Sequence, residues 1–129
     1  HHFVSPPDGQ GGRPLGWSSW ILGELESMGV DLVLGGHVHQ THLATSRSVV
    51  PGEGPGIPLV SSGTAASSRG RGMEMGENSV NVIRLSADEV EVEVHRYQVG
   101  AGVFEPASRH TFLRAAGPRT ARAWIGGAP

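Results

Sequence analysis

The stretch Val30–His39 joins an apolar run to two glycines and two histidines. The run is short and almost free of polar residues, which predicts a strand buried on both faces. Gly35 and Gly36 allow a sharp turn, and the i, i+2 spacing of His37 and His39 puts both imidazoles on one side of an extended loop. Open α/β sheets bind ligands beyond the carboxyl ends of their strands. The stretch therefore indicates half of a metal site, with a pair of solvated loop histidines as the alternative.

Composition limits what such a site can contain and where the protein works. The 129 residues make one domain or less, with a net charge of −2 and no cysteine. Any metal must therefore have nitrogen and oxygen ligands, and the charge gives no case for nucleic acid or anionic membranes as partners. The chain shows no membrane span and no signal peptide. We expect a cytoplasmic protein.

A histidine pair, His1 and His2, opens the chain. It is read either as the end of a metal-binding strand, with His1 as ligand, or as the remnant of an expression tag. A third histidine near the central motif, His42, has no geometric reason to be a ligand. Arg69 and Arg71 lie in a loop of small residues, where a guanidinium could bind a phosphate in bidentate fashion or simply be solvated.

A helix is predicted over Leu15–Met28, directly before the central strand. Its apolar residues recur at three and four positions, which is typical of one buried helical face. Ser18 and Ser19 are candidate caps, and Gly29 suits a left-handed helix end. The predicted buried face consists of Trp17, Trp20, Ile21, Leu25 and Met28.

Several strands are predicted between the histidine motif and Tyr97, separated by a turn at 51–56 and a loop at 65–78. Residues 57–64 read as a short buried strand, and 79–85 and 89–94 as a hairpin. In the second hairpin strand valines alternate with glutamates, which predicts valines in the core and glutamates on the solvent face of an edge hairpin. Periodicity fades afterwards, so we predict a domain portion at 1–97 and an irregular C-terminal tail at 98–129.

The order of these pieces resembles the C-terminal half of a calcineurin-like metallophosphoesterase, in the bacterial branch that includes cyclic-nucleotide phosphodiesterases. The resemblance covers His1 to Tyr97, and each motif is weak alone. Their order and spacing make the combination more specific. The motifs are His1-His2, Gly36-His37-Val38-His39, Ser62-Gly63-Thr64-Ala65 with Arg69 and Arg71, and Asn78-Ser79-Val80-Asn81-Val82-Ile83.

The resemblance implies an α/β fold, as part of an α/β/β/α two-sheet sandwich, with a dinuclear metal site. His1, His37 and His39 match the family's metal ligands, and the last two are catalytic through the bound metals. Arg69 is the candidate substrate-binding residue. The implied cofactors are two divalent or trivalent ions (Mn, Fe or Zn), and the implied reaction is in-line attack of a metal-activated hydroxide on a phosphoester. Phe3 departs from the family pattern, which has proline after the histidine pair.

The family's other ligands belong to Asp-x-His and Gly-Asn-His motifs that this sequence lacks. The expected partners are therefore a small phosphoester substrate and a missing N-terminal half of the same domain. Alternatives are a non-catalytic metal-binding module or an inactive fragment. Because a sandwich cut in two exposes a strand edge and a sheet face, we expect the isolated chain to be prone to aggregation and nearly inactive.

Overall fold

A computed structural model describes residues 2–6 and 12–114 of the chain. The described part contains one α-helix, two short 3₁₀ helices (Ser46–Ser48 and Gly72–Glu74) and two sheets. The α-helix and the strands are α1 Ser18–Ser27, β1 Val33–Gly35, β2 His42–Thr45, β3 Pro58–Ser61, β4 Ser79–Leu85, β5 Glu89–Gln98 and β6 Val103–Leu113. Among these residues, no helix is both long enough and apolar enough to cross a membrane. The predicted mixed α/β class is confirmed.

The first sheet has the order β1-β3-β2, with β3 parallel to β1 and antiparallel to β2. Every residue of β3 is buried, which confirms the short buried strand predicted there. The prediction for the central stretch is wrong in one respect. β1 covers only three residues and its Leu34 side chain is 63% exposed, because β1 stands at the edge of its sheet among the described residues and one of its faces is not covered by them.

The second sheet is an antiparallel meander in which β5 pairs with β4 on one side and β6 on the other. Val90 and Val92 of β5 are fully buried and form a cluster with Val60 of β3. Since this cluster joins the central strands of both sheets, the core lies between the two sheets. The alternation of valine in β5 predicted this correctly.

The glutamates of β5 are not all on a solvent face, and β5 is not an edge strand. Glu93 is buried beneath Arg84 and Arg109, whose guanidinium nitrogens lie 2.8 and 3.3 Å from its Oε2 atom. The ion pair with Arg84 lowers the pKa of the Glu93 carboxyl. The pattern failed here because the neighbouring strands supply cations that make burial of a carboxylate tolerable.

The segment assigned to an irregular tail contains β6, which runs along β5 from Val103 to Leu113. Its side chains are exposed on nearly every position, so the strand has no apolar alternation for a sequence pattern to detect. Backbone pairing with β5 defines it instead. The last part of the predicted tail, 115–129, lies outside the described residues.

The helix is in the predicted place, but its buried face is not the predicted one. Leu22 is fully buried, whereas Trp17, Trp20 and Met28 are mostly exposed. Gly29 adopts the expected left-handed conformation with φ 74°. No serine side chain caps the helix N-terminus, where Trp17 takes a left-handed conformation.

The helix is tied to the first sheet by a polar cluster. The Arg47 guanidinium lies 2.6 Å from the Glu26 carboxylate, and the fully buried Ser46 hydroxyl donates to the other carboxylate oxygen of Glu26. The same hydroxyl oxygen accepts the Ile57 backbone N–H at 2.9 Å. This cluster links α1 to the connection that leads into β3.

Candidate metal centre

The two central histidines lie in the loop that follows β1 and leads to β2, residues 36–41, called here the histidine loop. β1 and β2 flank β3, so the loop passes the carboxyl end of β3, and the Ser62 N–H donates to the Gly35 carbonyl at 3.1 Å. This placement agrees with the expectation of a site at strand ends. The loop is held in an unusual shape.

Both histidines of the motif have left-handed backbones, with φ 78° at His37 and 55° at His39. Only a few per cent of non-glycine residues adopt this conformation, and each instance costs on the order of 1–3 kcal/mol. Val38 between them is buried. Strained residues persist where surrounding contacts enforce them, and they cluster at functional sites. The backbone at the two histidines is therefore not extended, although the interpretation of their i, i+2 spacing assumed an extended loop.

His2 lies against this loop. Its ring stacks on that of His37, with centroids 6.2 Å apart and planes 13° apart. The residue is 1% exposed, its Nε2 atom lies 3.4 Å from the Ser5 hydroxyl, and its Nδ1 atom is buried with no hydrogen-bond partner among the described residues.

His2 and His42 line a small recess at the end of the first sheet, together with β1 and β3 residues that include Gly35 and Ser61. Its free volume is about 10 Å³, close to that of a single water molecule. Burial, followed by the nearby His37 ring, lowers the pKa of the His2 imidazole. The lowered pKa favours the neutral imidazole, which is the form that binds metal ions.

The residues present fit a metal only in part. Among residues 2–6 and 12–114, no group of three or more His, Asp or Glu side chains is arranged to hold a metal ion, whereas catalytic zinc sites use three protein ligands. The structure brings His2 and His37 together and does not add His39 to them as a third ligand. His1, a predicted ligand, lies outside the described residues. The set His1, His37 and His39 therefore stays a prediction.

The histidine loop is held by the segment that precedes β4. The Arg71 N–H donates to the His39 carbonyl at 3.0 Å, and the Thr41 N–H donates to the Glu74 carboxylate at 3.0 Å. Arg71 thus lies beside the loop with an exposed side chain. Arg69, the predicted substrate-binding residue, is also exposed, and the structure gives it no contact with the histidines.

Sequence reasoning missed two residues of this site. His2 was visible as part of the histidine pair, but the resemblance pointed to His1 as the ligand. Glu74 stands in a glycine-rich loop with no periodicity, and only the fold shows that its carboxylate reaches the histidine loop. For Glu74 the sequence carried no usable signal.

Solved structures show which fold this is. The chain has the metallophosphoesterase-like fold, a mixed α/β structure with two sheets. The similar solved structures are of Vps29. A double-mutant Vps29 from Entamoeba histolytica matches with a TM-score of 0.51 and 16% identity, over 80% of this chain and 52% of that one. Vps29 from Chaetomium thermophilum matches with a TM-score of 0.50 and 16% identity, over 81% and 51%.

The chain therefore spans about half the length of the solved structures that it matches. At this level of identity the likeness shows the fold alone. No protein-family model matches the sequence, and no curated protein is significantly similar to it.

Proposed function

We propose that this chain is the histidine-bearing part of a metal-dependent phosphoester hydrolase. The observation that carries the proposal is the contact of the buried His2 ring with His37, in a loop whose two histidines both have left-handed backbones. A strained backbone with imidazoles gathered at the carboxyl end of a sheet is typical of a ligand site. The superfamily fold supports the same class of chemistry.

In this proposal the chain's own residues bind and orient. His37, His39 and one member of the His1-His2 pair bind the metal ions through neutral imidazole nitrogens. Arg71 or Arg69 binds a non-bridging oxygen of the phosphoryl group. Bound divalent ions supply Lewis acidity and a nucleophilic hydroxide at neutral pH. Phosphodiesters, with cyclic nucleotides first, are the substrates to assay.

The proposal includes a further part of the domain as partner. The outer edge of β1 is unpaired among the described residues, and Leu34 on that strand is exposed. Additional polypeptide that pairs with this edge and packs on the face of the sheet would cover Leu34 and bring further ligands to the histidine loop. The half-length match to the solved structures agrees with this arrangement.

The second candidate is a metal-binding module without catalysis. It is favoured by the incomplete ligand set of the described residues. The fold does not decide the matter, because it is shared by enzymes and by non-enzymatic scaffold proteins. A site of this kind would bind a single ion and turn over no substrate.

Metal content and hydrolysis of an aryl phosphodiester, measured on the same samples, test the proposal. The variants are His37→Ala and His39→Ala, and the matched control is His110→Ala, whose residue is exposed on β6 in the other sheet. We expect metal binding to fall in both loop variants and to be unchanged in the control. Turnover that also disappears in both supports the hydrolase. Binding without turnover, even with Mn²⁺, Fe²⁺ or Zn²⁺ in excess and with added upstream sequence, supports the module.

A further inference from the structure

The carboxylate of Glu74 is buried directly behind the histidine loop. The residue is 2% exposed, and its Oε2 atom accepts hydrogen bonds from the Thr41 backbone N–H at 3.0 Å and from the Ser79 hydroxyl at 2.8 Å. Among the described residues, no cationic side chain lies within ion-pair distance of it. A buried carboxylate held only by neutral donors is costly, so its position calls for an explanation.

Two glycines lie so close to Glu74 that no side chain would fit in their place. A Cβ atom at Gly63 would collide with Glu74 Oε2 and with Ser79 Oγ, and a Cβ atom at Gly70 would collide with the Glu74 carbonyl. Both glycines lie in the connection between β3 and β4, before the 3₁₀ helix that ends at Glu74. The structure is thus shaped on two sides to hold Glu74 where it is.

One of the two hydrogen bonds that the Glu74 carboxylate accepts comes from the histidine loop, whose backbone is left-handed at His37 and His39. Thr41 is the last residue of the histidine loop, and its hydroxyl also lies 3.1 Å from that of Ser79. Two positions earlier the His39 carbonyl accepts the Arg71 N–H. These are contacts of the kind that hold non-glycine residues in a left-handed backbone, which relaxes when its surroundings no longer enforce it.

We propose that Glu74 is a positioning residue that holds the backbone of the histidine loop, and with it His37 and His39, in the observed conformation by accepting the Thr41 N–H. The proposal rests on the proposed function, since it assigns a role toward the metal ligands His37 and His39. Glu74 itself does not bind the metal. It acts through the backbone, in the way that residues behind metal ligands orient them.

The test is a calorimetric titration of the full 129-residue chain with Zn²⁺, alongside its thermal unfolding midpoint. In Glu74→Ala the Thr41 N–H loses its acceptor, and we expect the dissociation constant to rise on the order of 10-fold or more, as for other outer-shell partners. In Glu74→Gln the amide oxygen still accepts the bond, and we expect most of the affinity to return. The control is Glu77→Gln, three residues further along the same segment and exposed.

The outcomes separate the two proposals. Binding by the wild-type chain with unchanged affinity in Glu74→Ala would overturn the positioning role and leave the metal site standing. No binding by the wild-type chain would overturn the proposed function and this role with it. A lower midpoint with unchanged affinity would show a structural role only, and would also overturn the proposal. If Glu74→Ala does not fold, Gly63→Ala displaces the carboxylate instead, with Gly23→Ala as its control in open space.

Discussion

The imidazole of His2 stacks on that of His37 at a centroid separation of 6.2 Å. The two residues are far apart in sequence, and His2 reaches the loop because its segment is pinned to the start of the helical region. The Leu15 N–H donates to the His2 carbonyl at 2.9 Å, which fixes the backbone beneath the ring. The stacked pair is therefore part of the fold and not an incidental contact of a chain end.

Replacing His2 by phenylalanine separates packing from ligand chemistry. Phenylalanine keeps an aromatic ring against His37 but has no nitrogen to bind a metal. We expect His2→Phe to keep a thermal midpoint close to wild type and to lose at least about 10-fold in Zn²⁺ affinity, measured by calorimetry. Unchanged affinity would show that His2 is a packing residue and would move the ligand role to His1. His95→Phe, in the second sheet, is the control.

The buried face of α1 is tested by a pair of truncations. Leu22 is 0% exposed and Trp20 is 63% exposed. We expect Leu22→Ala to lower the free energy of unfolding by about 2–5 kcal/mol, because it leaves a cavity in the core, and Trp20→Ala to change it by less than about 1 kcal/mol. Urea denaturation measures both. If Trp20→Ala lowers the free energy of unfolding more than Leu22→Ala does, the buried face of α1 is the one that the apolar spacing predicted.

The sequence predicted elements well where apolar residues are enclosed and poorly where they are not. Val60, Val90 and Val92 were correctly assigned to buried strands, because burial on a sheet leaves a regular trace. The helix spacing pointed to Trp17 and Trp20, which the described residues leave exposed, since spacing identifies a face but not what covers it. β6 left no regular apolar pattern because nearly all of its side chains are exposed, and only Phe112 packs partly against the core.

The same distinction applies to the candidate site: the position of its local motif was predicted from the sequence, and its tertiary contacts were not. The strand, two glycines and two histidines placed His37 and His39 after β1, as predicted. The left-handed backbones and the contact of His37 with His2 come from tertiary packing, as does the reach of Glu74 to Thr41. None of these has a local signature, because each depends on residues distant in sequence.

The ion pairs around Glu93 make the free energy of unfolding depend on pH in the acidic range. Hydrogen bonding and the charges of Arg84 and Arg109 lower the pKa of Glu93 below its ordinary 4.5. A lowered folded pKa gives stabilisation that is present above the unfolded value and is lost as the pH falls through the folded one. We expect the free energy of unfolding to decrease on acidification below about pH 4.5, and to decrease less in Glu93→Gln. Urea unfolding at several pH values, with Glu53→Gln as control, gives the comparison.

The pair of Glu26 and Arg47 links the helix to the first sheet, and each side chain is 23% exposed. A partly exposed pair of this kind contributes modestly because solvent screens it. We expect a coupling free energy of about 0.5–1 kcal/mol in a double-mutant cycle of Glu26→Ala and Arg47→Ala. The measurement is denaturant unfolding of the wild type, both single variants and the double variant. Additive effects, with zero coupling, would contradict the contact.

The outer edge of β1 has no partner strand in the part of the chain that the structure describes, and this edge underlies a prediction about self-association. Leu34 is exposed there, and an exposed apolar edge strand promotes pairing between molecules. We expect the 129-residue chain to self-associate at micromolar concentration in sedimentation velocity, and Leu34→Lys to shift it toward monomer, since a charged lysine on an edge disfavours pairing. Val99→Lys, at an 87% exposed position in the turn between β5 and β6, is the matched control. A wild-type chain that stays monomeric would show that this edge needs no cover, and would remove the structural argument for a further part of the domain.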